Sequence, residues 1–369
     1  MATSPSFQRL YHNIVFITLL LLIGSCSDCN NKKIKDPITQ EASKNSERMP
    51  PIEKTYKIGK PVKNQGIPNI GNSCYMNSVL QILASFYREI FSHSKEKELE
   101  LAKATNKLIE DITSQEKVSP KEIEAKARLF FETLEKSPAQ GGIGWVNKRN
   151  RQEDAEELLT QILMKFTLPN ACTVFKEVHR TTGENRFGTR QDPWNMWEIP
   201  IPQNNAAIKT MQDLVDNKLL PEIVSKRWSG SEQANGEPNV DVETTPLLKD
   251  LDKLYGKILR ISLVRFEHNP DTDTTSKIRQ KVYDPFKLVI KKELILDSHT
   301  DLYYELAGFI QHIGATRSGG HYVAYTKVDG QWIKYNDSTV SEVSDTVAED
   351  AATEAYIYFY KQARPRREE

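Results

Sequence analysis

Residues Gly66 to Gln81 read G-I-P-N-I-G-N-S-C-Y-M-N-S-V-L-Q, and this stretch sets Cys74 where a loop becomes a helix. Downstream of Asn72 and Ser73, apolar residues fall at Met76, Val79, Leu80, Leu83, Tyr87 and Ile90, in steps of three and four that mark one helical face. Asn72 or Ser73 suits the N-cap. Cys74 then lies in the first turn, where unpaired backbone N–H groups and the helix dipole favour negative charge, so the sequence predicts a thiol of lowered pKa. An isolated cysteine in a helix is more often a small core residue. Here Gly66, Pro68, Asn69, Gly71 and Asn72 crowd before it, and that composition builds a backbone-exposed loop for which an apolar core has no use.

A second stretch, Gly319 to Ser338, reads G-G-H-Y-V-A-Y-T-K-V-D-G-Q-W-I-K-Y-N-D-S. Asp329-Gly330 is a two-residue hairpin signal between runs rich in Tyr and Val. Closing that turn pairs Val328 with Gln331. Counting outward then sets Val323 opposite Asn336 and Tyr322 opposite Asp337. Side chains alternate along a strand, so His321 shares a face with Val323 and meets Asn336 diagonally, while Asp337 points to the other face. A turn longer by one residue would exchange the faces.

Folding that joined the two stretches would assemble a Cys-His-Asn nucleophilic site. Cys74 sulfur would attack a carbonyl carbon. His321 would take the thiol proton and return it to the leaving amine, and Asn336 would fix the imidazole tautomer. Donors for the oxyanion are the Cys74 backbone N–H and the Asn69 side-chain amide, although a turn asparagine would read the same way. His312, nine residues before His321, reads as a structural strand histidine, and His12, His93, His179, His268 and His299 carry no motif.

The two stretches resemble the Cys box and His box of the ubiquitin-specific protease family of deubiquitinases. Four more blocks follow the family's order: R-Q-E-D-A-E-E-L-L at Arg151 to Leu159, I-L-R-I-S-L-V-R-F at Ile258 to Phe266, Y-E-L-A-G-F-I-Q-H-I-G at Tyr304 to Gly314, and A-Y-I-Y-F-Y at Ala355 to Tyr360. The resemblance implies an α+β, papain-like cysteine protease with a helical thumb, a β-sheet palm and β fingers. It implies Cys74 as nucleophile, His321 as base, Asn336 as third member, Asn69 as oxyanion donor and Asp337 as a supporting acidic residue. It also implies Asp154 as a contact to the substrate tail, with Gln152, Gly319 and Gly320 as further substrate-binding residues. The acidic run Glu153, Asp154, Glu156 and Glu157 would attract the basic tail of ubiquitin, or serve only as a solvated helix face. The implied partners are ubiquitin and ubiquitinated proteins. A protease for another modifier ending in Gly-Gly, or an inactive membrane-tethered ubiquitin-binding module, are the alternative readings.

Many members hold zinc in the fingers on two Cys-x-x-Cys pairs. This chain has four cysteines, Cys26, Cys29, Cys74 and Cys172, and its one Cys-x-x-Cys is Cys26 to Cys29, far from the fingers. The expectation is therefore reduced fingers with no zinc site, and no cofactor. Fifty basic residues balance fifty acidic ones, which gives no sign of a nucleic-acid binder.

The N-terminal run Ile14 to Ile23 is apolar apart from Thr18, follows Arg9 and ends in Gly24-Ser25-Cys26. It is short for a membrane span and resembles a bacterial lipoprotein signal with Cys26 lipidated. The expected organisation is a signal peptide at 1–26, a polar tether at 27–60, a catalytic domain at 61–362 and a polar tail at 363–369. A bacterial origin would make the protein an exported effector acting on host ubiquitin conjugates. Within the domain, helices are expected over Lys95 to Glu110, Pro120 to Lys136 and Gln152 to Phe166, and a finger hairpin over Phe175 to Gly188. Strands are expected over Met196 to Ile201 and Lys257 to Phe266, and exposed loops over Ser229 to Thr245 and His268 to Ile278.

Overall fold

The computed structural model describes residues 63–87, 100–136, 152–165, 170–202, 208–228, 238–269, 271–272, 274–316 and 319–363. The leader with Cys26, the tether and residues 364–369 lie outside them. The chain opens with helices α1 (Cys74–Phe86), α2 (Glu100–Ile112), α3 (Pro120–Lys136) and α4 (Ala155–Lys165). Strands β1 (Ala171–His179), β2 (Asn185–Trp194) and β3 (Trp197–Pro200) follow, then α5 (Met211–Lys218), β4 (Glu222–Lys226), β5 (Val240–Lys249), β6 (Ile258–Val264), β7 (Phe266–Asn269), β8 (Thr274–Lys277) and β9 (Lys287–Ile290). The chain closes with β10 (Leu302–Thr316), β11 (Gly319–Val328), β12 (Gln331–Asn336), β13 (Thr339–Val343), α6 (Asp345–Thr353) and β14 (Ala355–Ala363).

An eight-stranded sheet runs β13-β12-β11-β10-β14-β6-β3, with β9 also on β10. Both of its faces are buried, which is why β11 and β14 read as nearly continuous apolar runs. Tyr322, Ala324, Ile310, Ile357 and Phe359 pack against α1 to α4. Their alternates Val323, Tyr325, Phe309, Tyr358 and Tyr360 pack in a second core with α5 and α6. Arg265 is buried at the end of this sheet because its guanidinium donates to the carbonyls of Ala355, Thr353 and Gln280 at 2.7, 3.1 and 2.8 Å.

A separate four-stranded sheet, β2-β1-β5-β4, forms the fingers. Cys172 is its one cysteine, so a four-ligand zinc set does not fit, and among the described residues no group of three or more His, Cys, Asp or Glu could hold a metal. A charge cluster ties these strands instead. Glu177 on β1 is buried and accepts from Arg186 on β2 and Lys226 on β4. Arg186 also covers the Trp228 ring, whose indole N–H donates to Glu184.

Two loop expectations are corrected. Most of the second half of Ser229 to Thr245 belongs to β5, whose buried residues Val242, Thr244, Pro246 and Leu248 alternate with partly exposed ones. Pro246 is tolerated because it lies past the end of β4, where β5 has a neighbour on one side only. His268 to Ile278 contains the β7–β8 hairpin, a polar ribbon with no hydrophobic alternation to betray it.

Candidate active site

Helix α1 has no solvent face: all of its residues except Ser85 are buried. Its polar side chains at Asn77, Gln81 and Ser85 recur every four residues and form one stripe. The extended segment before the helix lies on that stripe. Asn77 Nδ2 donates to the Ile67 carbonyl at 3.1 Å, Gln81 Nε2 donates to the Gln65 carbonyl at 2.8 Å, and Asn64 Nδ2 donates to Gln81 Oε1 at 3.0 Å. Gly71 (φ 103°) and Asn72 (φ 48°) then turn the chain into the helix through the left-handed region. Ser73 is the N-cap residue, but its hydroxyl faces backwards and accepts from Ile70 N at 3.0 Å. Cys74 is thus the first residue of a buried helix that lies against β11.

The β11–β12 hairpin closes as the Asp329-Gly330 turn requires, pairing Val328 with Gln331 and Ala324 with Tyr335. His321 and Asn336 consequently share a face, and His321 Nε2 meets Asn336 Oδ1 at 2.6 Å. Asp337, at φ 51°, turns the other way. Its Oδ2 accepts from Asn69 Nδ2 at 2.9 Å, its Oδ1 from Asn77 Nδ2 at 2.7 Å, and its backbone carbonyl from Ile67 N at 3.0 Å. The same turn demands glycine at position 66, where an added Cβ would stand 2.3 Å from the Ser338 carbonyl oxygen.

Cys74 sulfur lies against the backbone of Tyr322, the residue after His321, and takes hydrogen bonds there and from the N–H groups of Tyr75 and Cys74. Its thiol pKa is nevertheless raised, which corrects the expectation of a lowered one. Burial is the largest cause, and the Asp337 charge adds to it against those hydrogen bonds. The helix N-terminus is present, but Cys74 is only 3% exposed, and burial deprives a thiolate of the water that would solvate it.

The remaining residues sort by burial. Asn69 is exposed, and its Oδ1 accepts from Gly71 N at 3.0 Å. Gln152 and Asp154 are buried just before α4. Asp154 caps that helix, accepting from Glu156 N at 2.8 Å, and accepts from the Tyr356 hydroxyl at 3.1 Å. This carboxylate therefore links the start of α4 to β14. Glu157 is exposed, whereas Glu153 and Glu156 are half-buried. Gly319 and Gly320 open β11, and Gly320 (φ 144°) leaves no room for a Cβ, which would meet the Ile313 carbonyl at 2.5 Å and His312 Nε2 at 2.7 Å.

His312 backs this turn. It is buried between Tyr322 and Phe266, with ring centroids 4.7 and 5.5 Å away. Burial, then the charges of Lys277 and His321, push its pKa down to about 4. Lys277 donates to the His312 carbonyl and is itself pushed down to about 8, first by burial and then by Arg265. Sequence reasoning missed Asn77 and Tyr356. The available signal for Asn77 was the four-residue spacing of Asn77, Gln81 and Ser85, a polar stripe that starts one turn after Cys74. Tyr356 carried no signal, because its partner lies 202 positions away.

Comparison with known proteins agrees with this architecture. Residues 65–360 match the family model described as ubiquitin carboxyl-terminal hydrolase. Ubiquitin carboxyl-terminal hydrolase 2 of Bos taurus is 24% identical over 352 residues, an alignment that covers 81% of this chain and 55% of the cattle protein. Ubiquitin carboxyl-terminal hydrolase 24 of Arabidopsis thaliana is 23% identical, covering 82% of this chain and 66% of that protein. The chain thus spans little more than half to two thirds of these relatives. Among solved structures, the SAGA Ubp8/Sgf11/Sus1/Sgf73 DUB module bound to ubiquitin aldehyde has a chain of the same fold, with a TM-score of 0.65 at 20% identity, covering 84% of this chain and 71% of that one. The chain belongs to the ubiquitin carboxyl-terminal hydrolase family, with the fold of its ubiquitin-specific proteases.

Proposed function

We propose that the chain is a cysteine deubiquitinase that hydrolyses the peptide or isopeptide bond after the C-terminal Gly-Gly of ubiquitin. The observation that carries this reading is the junction of two distant segments: Cys74 sulfur against the Tyr322 backbone, beside a His321 whose Nε2 is held by Asn336 at 2.6 Å.

The proposed division of labour draws on that geometry. Asn336 Oδ1 can only accept, so His321 Nε2 carries the proton of the neutral ring and Nδ1 is left with the lone pair. Nδ1 is then the base. Because burial holds the thiol protonated, the proton leaves Cys74 as the sulfur attacks, and His321 returns it to the departing amine. The oxyanion falls to backbone N–H at Cys74 and to Asn69. One N–H of the Asn69 amide is spent on Asp337, and the same nitrogen carries a second. Gly319 and Gly320 would border the path of a side-chain-free tail, and Gln152 and Asp154 would be further contacts to it.

Steady-state hydrolysis of ubiquitin-aminocoumarin by residues from about Met49 onward tests the reading, with a panel of di-ubiquitins reporting linkage preference. Turnover lost in Cys74→Ala, with ubiquitin binding retained, is the expected result. Faster cleavage of a matched ubiquitin-like substrate would move the chain to another modifier, and binding without turnover would make it an inactive ubiquitin-binding module.

For the N-terminal segment we propose export and a membrane tether through a lipidated Cys26, as in a bacterial effector facing host ubiquitin conjugates. The support is the sequence alone, since the relatives named above come from cattle and Arabidopsis and give a bacterial origin no backing. The domain limits at 26, 60 and 362 belong to the same proposal. Labelled palmitate should enter the full chain and be lost in Cys26→Ser; no incorporation would refute the tether.

A further inference from the structure

We infer that Asn77 is a positioning residue for the oxyanion donor and acts on Asn69 through Asp337. The inference rests on the reading of Asn69 and Cys74 given above. Three observations carry it. Asn77 is 2% exposed and stands one turn after Cys74 on the same helix, so it moves with the nucleophile rather than with the loop. Its Nδ2 lies 2.7 Å from Asp337 Oδ1, while Asp337 Oδ2 lies 2.9 Å from Asn69 Nδ2. Asn69 is exposed on a loop, and apart from its own neighbours its described side-chain partner is Asp337.

The carboxylate of Asp337 turns about its Cα–Cβ and Cβ–Cγ bonds, and its two oxygens move together. Unless one is fixed, the other does not hold its partner in one place. Asn77 fixes Oδ1 by a charge-assisted bond from within a helix, which leaves Oδ2 aimed at the loop. The path Asn77–Asp337–Asn69 therefore refers the exposed amide back to the element that carries the sulfur. Asn77 Oδ1 has no hydrogen-bond partner among the described residues, although it is buried. The side chain thus bonds through its donor end, which also reaches the carbonyls of Ile67 and Pro68 at 3.1 and 3.4 Å.

A double-mutant cycle on ubiquitin-aminocoumarin hydrolysis decides the matter. Asn77→Asp keeps the size of the side chain but turns the donor into an acceptor facing Asp337, and Asn77→Ala removes it. Either should lower kcat about 10- to 100-fold, somewhat less than outright loss of an oxyanion donor, with KM changed by less than about twofold. In an Asn69→Ala background the same substitutions should lower kcat by less than about threefold, because the group they position is gone. An undiminished loss in that background would overturn the inference and leave Asn77 a structural residue. So would failure of both variants to fold, read from their melting curves. A wild-type chain with no turnover at all would instead sink the functional reading on which the inference rests.

Discussion

Replacing His312 by phenylalanine should remove a large part of the protein's acid sensitivity. The ring is 1% exposed, lies between two aromatic side chains, and has neither nitrogen hydrogen-bonded among the described residues. Its folded pKa is about 4, and that of an unfolded histidine is roughly 6.5. The folded value is the lower one, so the unfolded chain binds more protons between these limits. The histidine's contribution is therefore fully present above about pH 6.5 and is lost as pH falls toward 4. For a gap of about 2.5 units the loss on going from pH 7 to pH 5 is about 2 kcal/mol. Phenylalanine keeps the ring but cannot take a proton. Packing beside Gly320 will cost it some stability at every pH, but that offset does not change with acid. Urea unfolding of both proteins at pH 7 and pH 5 separates the two effects. The wild type should lose about 2 kcal/mol more than His312→Phe over this interval. Equal losses in the two proteins would show that His312 is not held neutral in the fold.

Four further outcomes follow from other parts of the molecule. Glu177→Ala strips the carboxylate from between Arg186 and Lys226 and should destabilise the protein by about 1–3 kcal/mol in urea titration, less than for a fully buried pair because both cations keep 32% exposure. EDTA should leave the melting temperature unchanged, since that cluster ties β1, β2 and β4 and no group of three or more His, Cys, Asp or Glu among the described residues could hold a metal. Gly66→Ala drives a methyl into the Ser338 carbonyl and should cost about 1–3 kcal/mol in the same titration, with a larger proportional fall in turnover than Gly183→Ala, whose added Cβ meets nothing within 4 Å. Asn336→Ala should lower kcat less than His321→Ala, because a ring that has lost its orienting partner still carries the proton-accepting nitrogen.

What could be read from the residues was whatever local geometry decides. A two-residue Asp-Gly turn admits one register, so the shared face of His321 and Asn336 followed from counting. The helix beginning at Cys74 followed from apolar spacing. The thiol's raised pKa did not, because it depends on how deeply β11 covers the sulfur, and no property of residues 66–81 encodes that. Strand β5 was hidden by the polar stretch before it and by Pro246, and its identity depends on β1 and β4 lying on either side. Asn77 lies off the apolar face of its helix, and its spacing assigns it no role. It gained a meaning only when Asp337, 260 positions away, arrived beside it. Asp154 shows the converse: a residue expected to face the substrate tail is already engaged by its own helix and by Tyr356.

The central claim is that Cys74 and His321 work as one unit. Reaction with ubiquitin carrying a C-terminal vinyl sulfone, followed by peptide mapping of the adduct, tests it most directly. The account predicts a single adduct on Cys74 that disappears in Cys74→Ala and forms far more slowly in His321→Ala. An adduct on Cys172, or labelling of Cys74 at an unchanged rate without His321, would contradict it.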